Sequence, residues 1–225
     1  MSADSRRMRG LLPGDPSSGV PAEGPVAGLV LAAGGGRRMG GPKALLYDTS
    51  GVPWVRARAQ TLLDAGCSPV FVTVGAEAAR VRATLERQMS AVAVPGWQQG
   101  MGSSLRAGLR ALSMLDEDVE AVVVALVDTP GLTSEAVYAL VEASVAAARG
   151  RTLHGALSQA VYAGSPGHPV LIGRNHWLGV HEAAEGETGA REYLREHKVR
   201  RVEVGDLADG TDFDTRQQLT DSGLR

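Results

Sequence analysis

Gly34, Gly35, Gly36, Gly40 and Gly41 alternate with Arg37, Arg38 and Lys43 in the stretch Leu31–Leu46, LAAGGGRRMGGPKALL. Backbone that lacks Cβ atoms can come close to a ligand. Its N–H groups can cradle oxygens while Arg and Lys offset negative charge. Behind a short apolar run, Val26–Leu31, such a loop is a place to hold phosphates. It is not the P-loop: Gly35 and Gly40 keep the glycine spacing, but Gly41 and Pro42 stand where Lys and Ser/Thr are required. The Rossmann pattern Gly-x-Gly-x-x-Gly is imitated by Gly34 and Gly36, with Met39 in its last place. The bland alternative is a plain surface turn, and such turns rarely carry Arg-Arg and Lys directly behind a buried strand.

Acidic residues fall where such a loop would need them. Asp128 follows the apolar run Val122–Val127 in Val-Asp-Thr-Pro. Asp212 and Asp214 follow the run Arg201–Val204, in Thr-Asp-Phe-Asp-Thr. In an open α/β sheet, ligands sit outside the C-terminal ends of the strands, so carboxylates from two strands can meet there. Mg²⁺ suits that place, because it binds one or two carboxylates and completes its shell with substrate phosphates. The structural alternatives are a turn or helix cap for Asp128 and a cap of the last helix for Asp212 or Asp214.

Apolar runs and amphipathic stretches alternate through the first two thirds of the chain. Strands are expected at Val26–Leu31, Pro69–Val74, Ala91–Val94 and Glu120–Val127. Helices are expected at Val55–Ala65, Glu77–Gln88, Ser104–Leu115 and Ser134–Arg149, the last capped by Thr133 or Ser134. This alternation implies right-handed βαβ units and a parallel sheet with helices on both faces. After Gly150 the pattern changes: Leu153–Val161 and Pro169–Ile172 read as strands flanking a Gly-Ser-Pro-Gly turn. Two short helices, a strand at Arg201–Val204 and a final helix from Thr215 follow. The expected architecture is therefore α/β, three-layered and Rossmann-like, with a mostly parallel mixed sheet.

With 225 residues, 44% of them hydrophobic, the chain can bury one sizeable core. Residues 1–25, rich in Gly, Pro and Ser, read as a flexible tail, and 26–225 as one domain. A net charge of −2 offers no general attraction for nucleic acid or an anionic membrane. No run approaches the roughly 18 apolar residues that span a bilayer. Cys67, alone, excludes an internal disulfide and fits a reducing cytoplasm.

The glycine-rich loop resembles the nucleotidyltransferase family that includes the molybdenum cofactor cytidylyltransferases and guanylyltransferases and the sugar-nucleotide pyrophosphorylases. That family opens with Leu-Ala-Ala/Gly-Gly-x-Ser-x-Arg-Met-Gly and then Pro-Lys or Asp-Lys. Leu31, Ala32, Ala33, Gly34, Arg38, Met39, Gly40 and Lys43 match, and Gly36 replaces the Ser. Asp128-Thr129-Pro130 corresponds to the family's Asp-Gln-Pro or Asp-Met-Pro, and Asp212-Phe213-Asp214-Thr215-Arg216 to its Asp-Ile-Asp-Thr-Pro. Pro95–Leu109 (PGWQQGMGSSLRAGL), Gly167-His168-Pro169-Val170 and Gly186-Glu187-Thr188-Gly189-Ala190-Arg191 match three further blocks in family order.

The resemblance implies a GT-A-like nucleotidyltransferase fold and an Mg²⁺ ion on Asp128 and Asp214. It implies Arg38, Lys43 and Asp128 as catalytic residues. Leu31, Ala32, Ala33, Gly34, Gly35, Gly36, Arg37 and Lys43 would hold the nucleotide. Gly102, Ser103 and Ser104 would lie near its base, although Ser103 also suits a helix N-cap. His168 and Arg191 would face the acceptor. A lone His is more often structural, and Arg191 would equally pair with Glu187. Ala33 and the Gly-Met-Gly-Ser-Ser-Leu block favour CTP. The acceptor would then be molybdopterin, on its way to a recipient molybdoenzyme. Guanylyl transfer, or transfer to a sugar phosphate or phospholactate, is the alternative within enzymes. Outside them stand a non-catalytic carrier of nucleotide or pterin and a GTPase switch. The switch is opposed by the missing Gly-Lys-Ser/Thr and by the lack of an Asn-Lys-x-Asp motif.

Overall fold

In the computed structural model, residues 25–115 and 118–221 are described, and the expected tail lies outside them except for Pro25. The seven strands are β1 (Val26–Leu31), β2 (Val70–Val74), β3 (Met89–Ala93), β4 (Ala121–Leu126), β5 (Leu157–Tyr162), β6 (Ser165–Gly173) and β7 (Arg200–Glu203). They form one sheet in the order β3-β2-β1-β4-β6-β5-β7. Pairing is parallel throughout except for β6, which runs against β4 and β5. The mostly parallel mixed sheet expected from the alternation is present.

The helices are α1 (Trp54–Asp64), α2 (Ala78–Ala83), α3 (Met101–Leu112), α4 (Ser134–Ala148), α5 (Trp177–Ala183), α6 (Arg191–Glu196) and α7 (Arg216–Asp221). One core joins Trp54, Leu62, Val81 and Leu140 to one sheet face, and a second joins Leu105, Leu109, Trp177 and Leu194 to the other. Strand β1 serves both: Val26 and Val30 point one way, Ala27, Leu29 and Leu31 the other. A strand covered on both faces has no reason to alternate with polar residues, which is why β1 and β4 read as unbroken apolar runs. Thr133 caps α4, its Oγ1 accepting from Ala136 N at 3.2 Å.

Several boundaries differ from expectation. Helix α2 spans six residues and stops at Ala83, because the chain must already turn into β3 at Met89. Helix α3 begins at Met101, with Gly100 and not Ser103 at its N-cap. The segment from Leu153 starts as a 3-10 turn, Leu153–Gly155, and becomes strand only at Leu157. The β5–β6 hairpin turns on Ala163 and Gly164, both left-handed at φ 49 and 79. Ser165–Gly167 already belong to β6. A two-residue turn with both φ positive matches the twist of its strands. The Glu203 carboxylate accepts from the N–H groups of Ala163 and Gly164 at 3.0 and 2.9 Å, which supports the alanine in this unfavourable region.

Helix α3 lies close to the sheet at Gly108, where an added Cβ would sit 2.6 Å from both methyls of the fully buried Leu29. Leu29→Ala is expected to destabilise by about 2–5 kcal/mol. Gly108→Ala alone should also destabilise, despite alanine's better helix propensity. Together the two changes should cost less than their sum, since the new methyl enters the space that Leu29 leaves. Urea unfolding of the three variants checks this, and strict additivity would show that the positions do not share that space.

Candidate active site

Strand β1 leads away to β2 on one side while β4 pairs with its other edge, so the sheet changes winding direction between them. Such a switch point opens a crevice at the C-terminal strand ends. Leu31 and Leu126 are register partners there, and Val127 N donates to Leu31 O at 3.2 Å. The glycine-rich loop and Asp128 therefore leave the sheet side by side.

The loop is tied at its root: Ala32 N donates to Thr73 Oγ1 and Ala76 N to Ala33 O, both at 3.0 Å. Ala32 and Ala33 bury their side chains. Gly36 then reverses the chain at φ 56, and its carbonyl accepts from Met39 N at 2.8 Å and Gly41 N at 3.3 Å. A Cβ on Gly36 would fall 2.0 Å from Gly41 O, so only glycine closes this turn. Around Gly34 the space is open, whereas a Cβ on Gly35 would meet the Trp97 ring at 2.8 Å. Arg37 and Arg38 stand exposed on a 3-10 turn that Met39 anchors in the core. Lys43 opens the next 3-10 turn.

Lys43 Nζ donates to Asp128 Oδ2 at 2.7 Å and to Asp214 Oδ1 at 2.6 Å. Three distant segments thus meet at one ammonium. Burial pulls the Lys43 pKa down, but Asp128 and Asp214 outweigh it and the net shift is upward. The hydrogen bond from Lys43 holds the Asp214 carboxyl below the usual carboxylate range, with burial opposing and Arg38 adding to the depression. Asp128 Oδ1 is buried without a hydrogen-bond partner. The side chain of Thr129 turns back to Leu126 O at 3.0 Å.

Asp214 reaches Lys43 because other residues cap α7. Thr215 Oγ1 accepts from Gln218 N at 3.4 Å, while Gln218 Oε1 accepts from the N–H groups of Thr215 and Asp214 at 2.9 Å. This reciprocal capping box leaves the Asp214 carboxylate for the site. The segment is held from behind by Phe213 N, which donates to Asp128 O at 3.0 Å, and by the Phe213 ring, edge-on to Trp54.

A cleft of about 750 Å³ opens beside Thr129 on the α3/α6 face. Leu31, Met101, Leu105 and Leu126 line its apolar side, and His168, Arg191 and Asp212 its polar side. Burial, with Arg191 adding, pushes the His168 imidazole down to about 4, against the pull of Asp212. Tyr162 Oη donates to His168 O at 2.6 Å and Gln159 Nε2 to Gly167 O at 3.1 Å, fixing the chain at this entry to β6. Gly102, Ser103 and Ser104 lie in the buried first turn of α3. Gly102 N donates to Gly186 O at 2.8 Å, and Ser103 Oγ to Gly100 O at 2.8 Å. That turn brings Met101 and Leu105 to the cleft wall. Sequence reasoning missed Gln159, Arg195 and Arg201, which also line the cleft; they sit outside any motif, on elements known to converge only once the sheet order is known.

Residues 28–202 match the family described as MobA-like NTP transferase domain. The chain is 37% identical over 206 residues to the nicotine blue oxidoreductase of Paenarthrobacter nicotinovorans, covering 86% of this chain and 94% of that protein. The crystal structure of the Mycobacterium tuberculosis rv0371c homolog from Mycobacterium sp. strain JC1 superimposes with a TM-score of 0.71 at 30% identity, over 88% of this chain and 94% of that one. Rv0371c of M. tuberculosis H37Rv, solved in complex with manganese, shares the fold at a TM-score of 0.68 and 24% identity, over 87% of this chain and 96% of that one. From β1 to β7, the chain belongs to the MobA-like NTP transferase domain family and is a nucleotidyltransferase of that type.

Proposed function

We propose that the chain transfers a nucleoside monophosphate from CTP to a phosphate on a small acceptor, with molybdopterin as the acceptor and a molybdoenzyme as its recipient. An acceptor phosphate oxygen attacks the α-phosphorus in line, the bond from that phosphorus to the β-phosphate oxygen breaks, and pyrophosphate leaves. Such a step depends on placement and charge neutralisation rather than covalent catalysis. The observation that carries the reading is the Lys43 ammonium between Asp128 and Asp214, beside a loop that exposes Arg38.

The residues present fit a divalent ion. Asp128 keeps one buried oxygen without a partner, and one cationic atom already bridges the two carboxylates. Among the described residues no cluster of three His, Cys, Asp or Glu forms a complete cage, which suits Mg²⁺ shared with phosphates better than an ion held by protein alone. Bound on Asp128 and Asp214, Mg²⁺ would neutralise triphosphate charge near the α-phosphorus. Manganese in the Rv0371c complex belongs to a fold neighbour and supports an ion of this class. Arg38 and Lys43 would stabilise charge growing on the leaving pyrophosphate. Leu31, Met101 and Leu105 would cover a planar acceptor, and Arg191 would hold its phosphate beside a neutral His168.

A second reading has one observation in its favour. The relative that is 37% identical over most of the chain is called an oxidoreductase of nicotine blue. On that reading the same cleft would take a planar pigment and an electron donor would reduce it. Offering each triphosphate and following pyrophosphate, beside a pigment-reduction assay with a reduced nicotinamide, separates the two.

Lys43→Ala is expected to remove about 2–4 kcal/mol of transition-state stabilisation, a loss of about 30- to 1,000-fold in kcat/KM. Pyrophosphate release reads it, and normal turnover would reject the assignment. The ion pair also sets a pH dependence. Asp214, held low by Lys43, contributes stability above the ordinary carboxylate range and loses it as pH falls through its depressed value. Asp214→Asn should therefore melt below wild type at neutral pH, with the gap closing in strong acid. A gap of constant size across that range would show that the pair does not act as described.

A further inference from the structure

The family pattern continues Asp-Thr-Pro, whereas this chain continues Asp214-Thr215-Arg216. Arg216 is the first residue of α7, and its Nε donates to Met39 O at 2.8 Å. Its guanidinium lies against Gly40: a Cβ there would sit 2.9 Å from Nη2 and 3.4 Å from Cζ and Nε. Gly40 ends the 3-10 turn at φ 79, and its N–H reaches Arg37 O only at 3.4 Å. A Cβ added at Gly41 would meet nothing within 4 Å. Backbone of this kind has few restraints of its own. The turn that presents Arg37 and Arg38 is thus held from inside by the buried Met39 side chain and from outside by Arg216. Two residues earlier, Asp214 grips Lys43. One short piece of chain therefore fastens the loop at both ends of residues 39–43.

We propose that Arg216 is a positioning residue. Through Met39 O it fixes the loop in the form that presents Arg38 and Lys43 to a triphosphate. The role toward triphosphate rests on the transferase reading; the tether itself does not. The bond needs a donor at the Nε position, whereas a direct phosphate contact needs the charge. Gln places its side-chain amide nitrogen at the same distance along the chain as Arg Nε and carries no charge. Lys keeps the charge and has no donor at that point.

The test compares Arg216→Ala, Arg216→Gln and Arg216→Lys in the full chain. Trypsin cleavage after Arg38, followed by mass spectrometry without any ligand, should be about fivefold or more faster in the Ala and Lys variants, the fold-change of one lost hydrogen bond. It should stay close to wild type in the Gln variant, at unchanged melting temperatures. The KM for CTP with Mg²⁺ should rise by a similar factor in Ala and Lys, with kcat within about twofold, and Gln should restore it. Rescue by Lys and not by Gln overturns the proposal in favour of a charge role, and three variants that match wild type overturn it outright. A protein that turns over no triphosphate yet shows the expected cleavage order would sink the transferase reading and leave the tether standing.

Discussion

The Lys43 ammonium is the point on which the rest of the arrangement depends. Two carboxylates this close to each other repel unless a cation stands between them, and partial burial makes the repulsion stronger than it would be in water. Lys43 supplies that cation from the glycine-rich loop, Asp128 comes from the end of β4, and Asp214 from the segment before α7. The first two are neighbours because β1 and β4 are. The third is not, since β7 forms the far edge of the sheet. The chain must return across β5 and β6, and it is fastened along the way. Thr133 Oγ1 donates to Leu207 O at 3.0 Å, Asp209 N to Gly131 O at 3.2 Å and Phe213 N to Asp128 O at 3.0 Å. The turn at residues 128–133 thus guides the returning segment to the lysine.

Much of this was legible because it is local. Fully covered strands announce themselves as unbroken apolar runs, as β4 does in Ala121–Leu126. Five glycines among three cations mark the loop whose lysine meets Asp128 and Asp214. What stayed hidden depends on partners far away in the chain. The Ala163-Gly164 turn lacks the Asn-Gly or Asp-Gly that marks such hairpins, and its support, Glu203, comes from another strand. Asp214 is a different case, because its alternative role as a helix cap is decided by residues close to it in the chain. The answer lies in Gln218, whose side chain takes over the capping. Thr215-x-x-Gln218 is a readable capping box, and reading it would have released Asp214 from that role.

The turn after β4 also divides the crevice. Asp128 faces Lys43, while Thr129, the next residue, lines the cleft on the α3/α6 face. Adjacent residues therefore face different surroundings. Asp128 meets the polar loop on which Arg37 and Arg38 stand exposed. Thr129 meets a cleft with an apolar wall of Leu31, Met101, Leu105 and Leu126 and a polar wall of His168, Arg191 and Asp212. On the proposed transferase reading, a polyphosphate would lie by the loop and a flat apolar body in the cleft, with their reactive ends meeting at this turn.

Burial sets the protonation state of the histidine in this cleft. His168 is held neutral across the physiological range, because burial and the Arg191 charge both oppose its protonation. Its ring can hydrogen-bond but cannot attract. Arg191, Arg195 and Arg201 supply the guanidinium groups of this lining. On the proposed transferase reading, arginine would draw a phosphorylated acceptor and histidine would orient it. On that reading the neutral His168 ring would stay a hydrogen-bonding group between neutrality and mild acid, so that it would not be the source of a pH dependence of capture in that range.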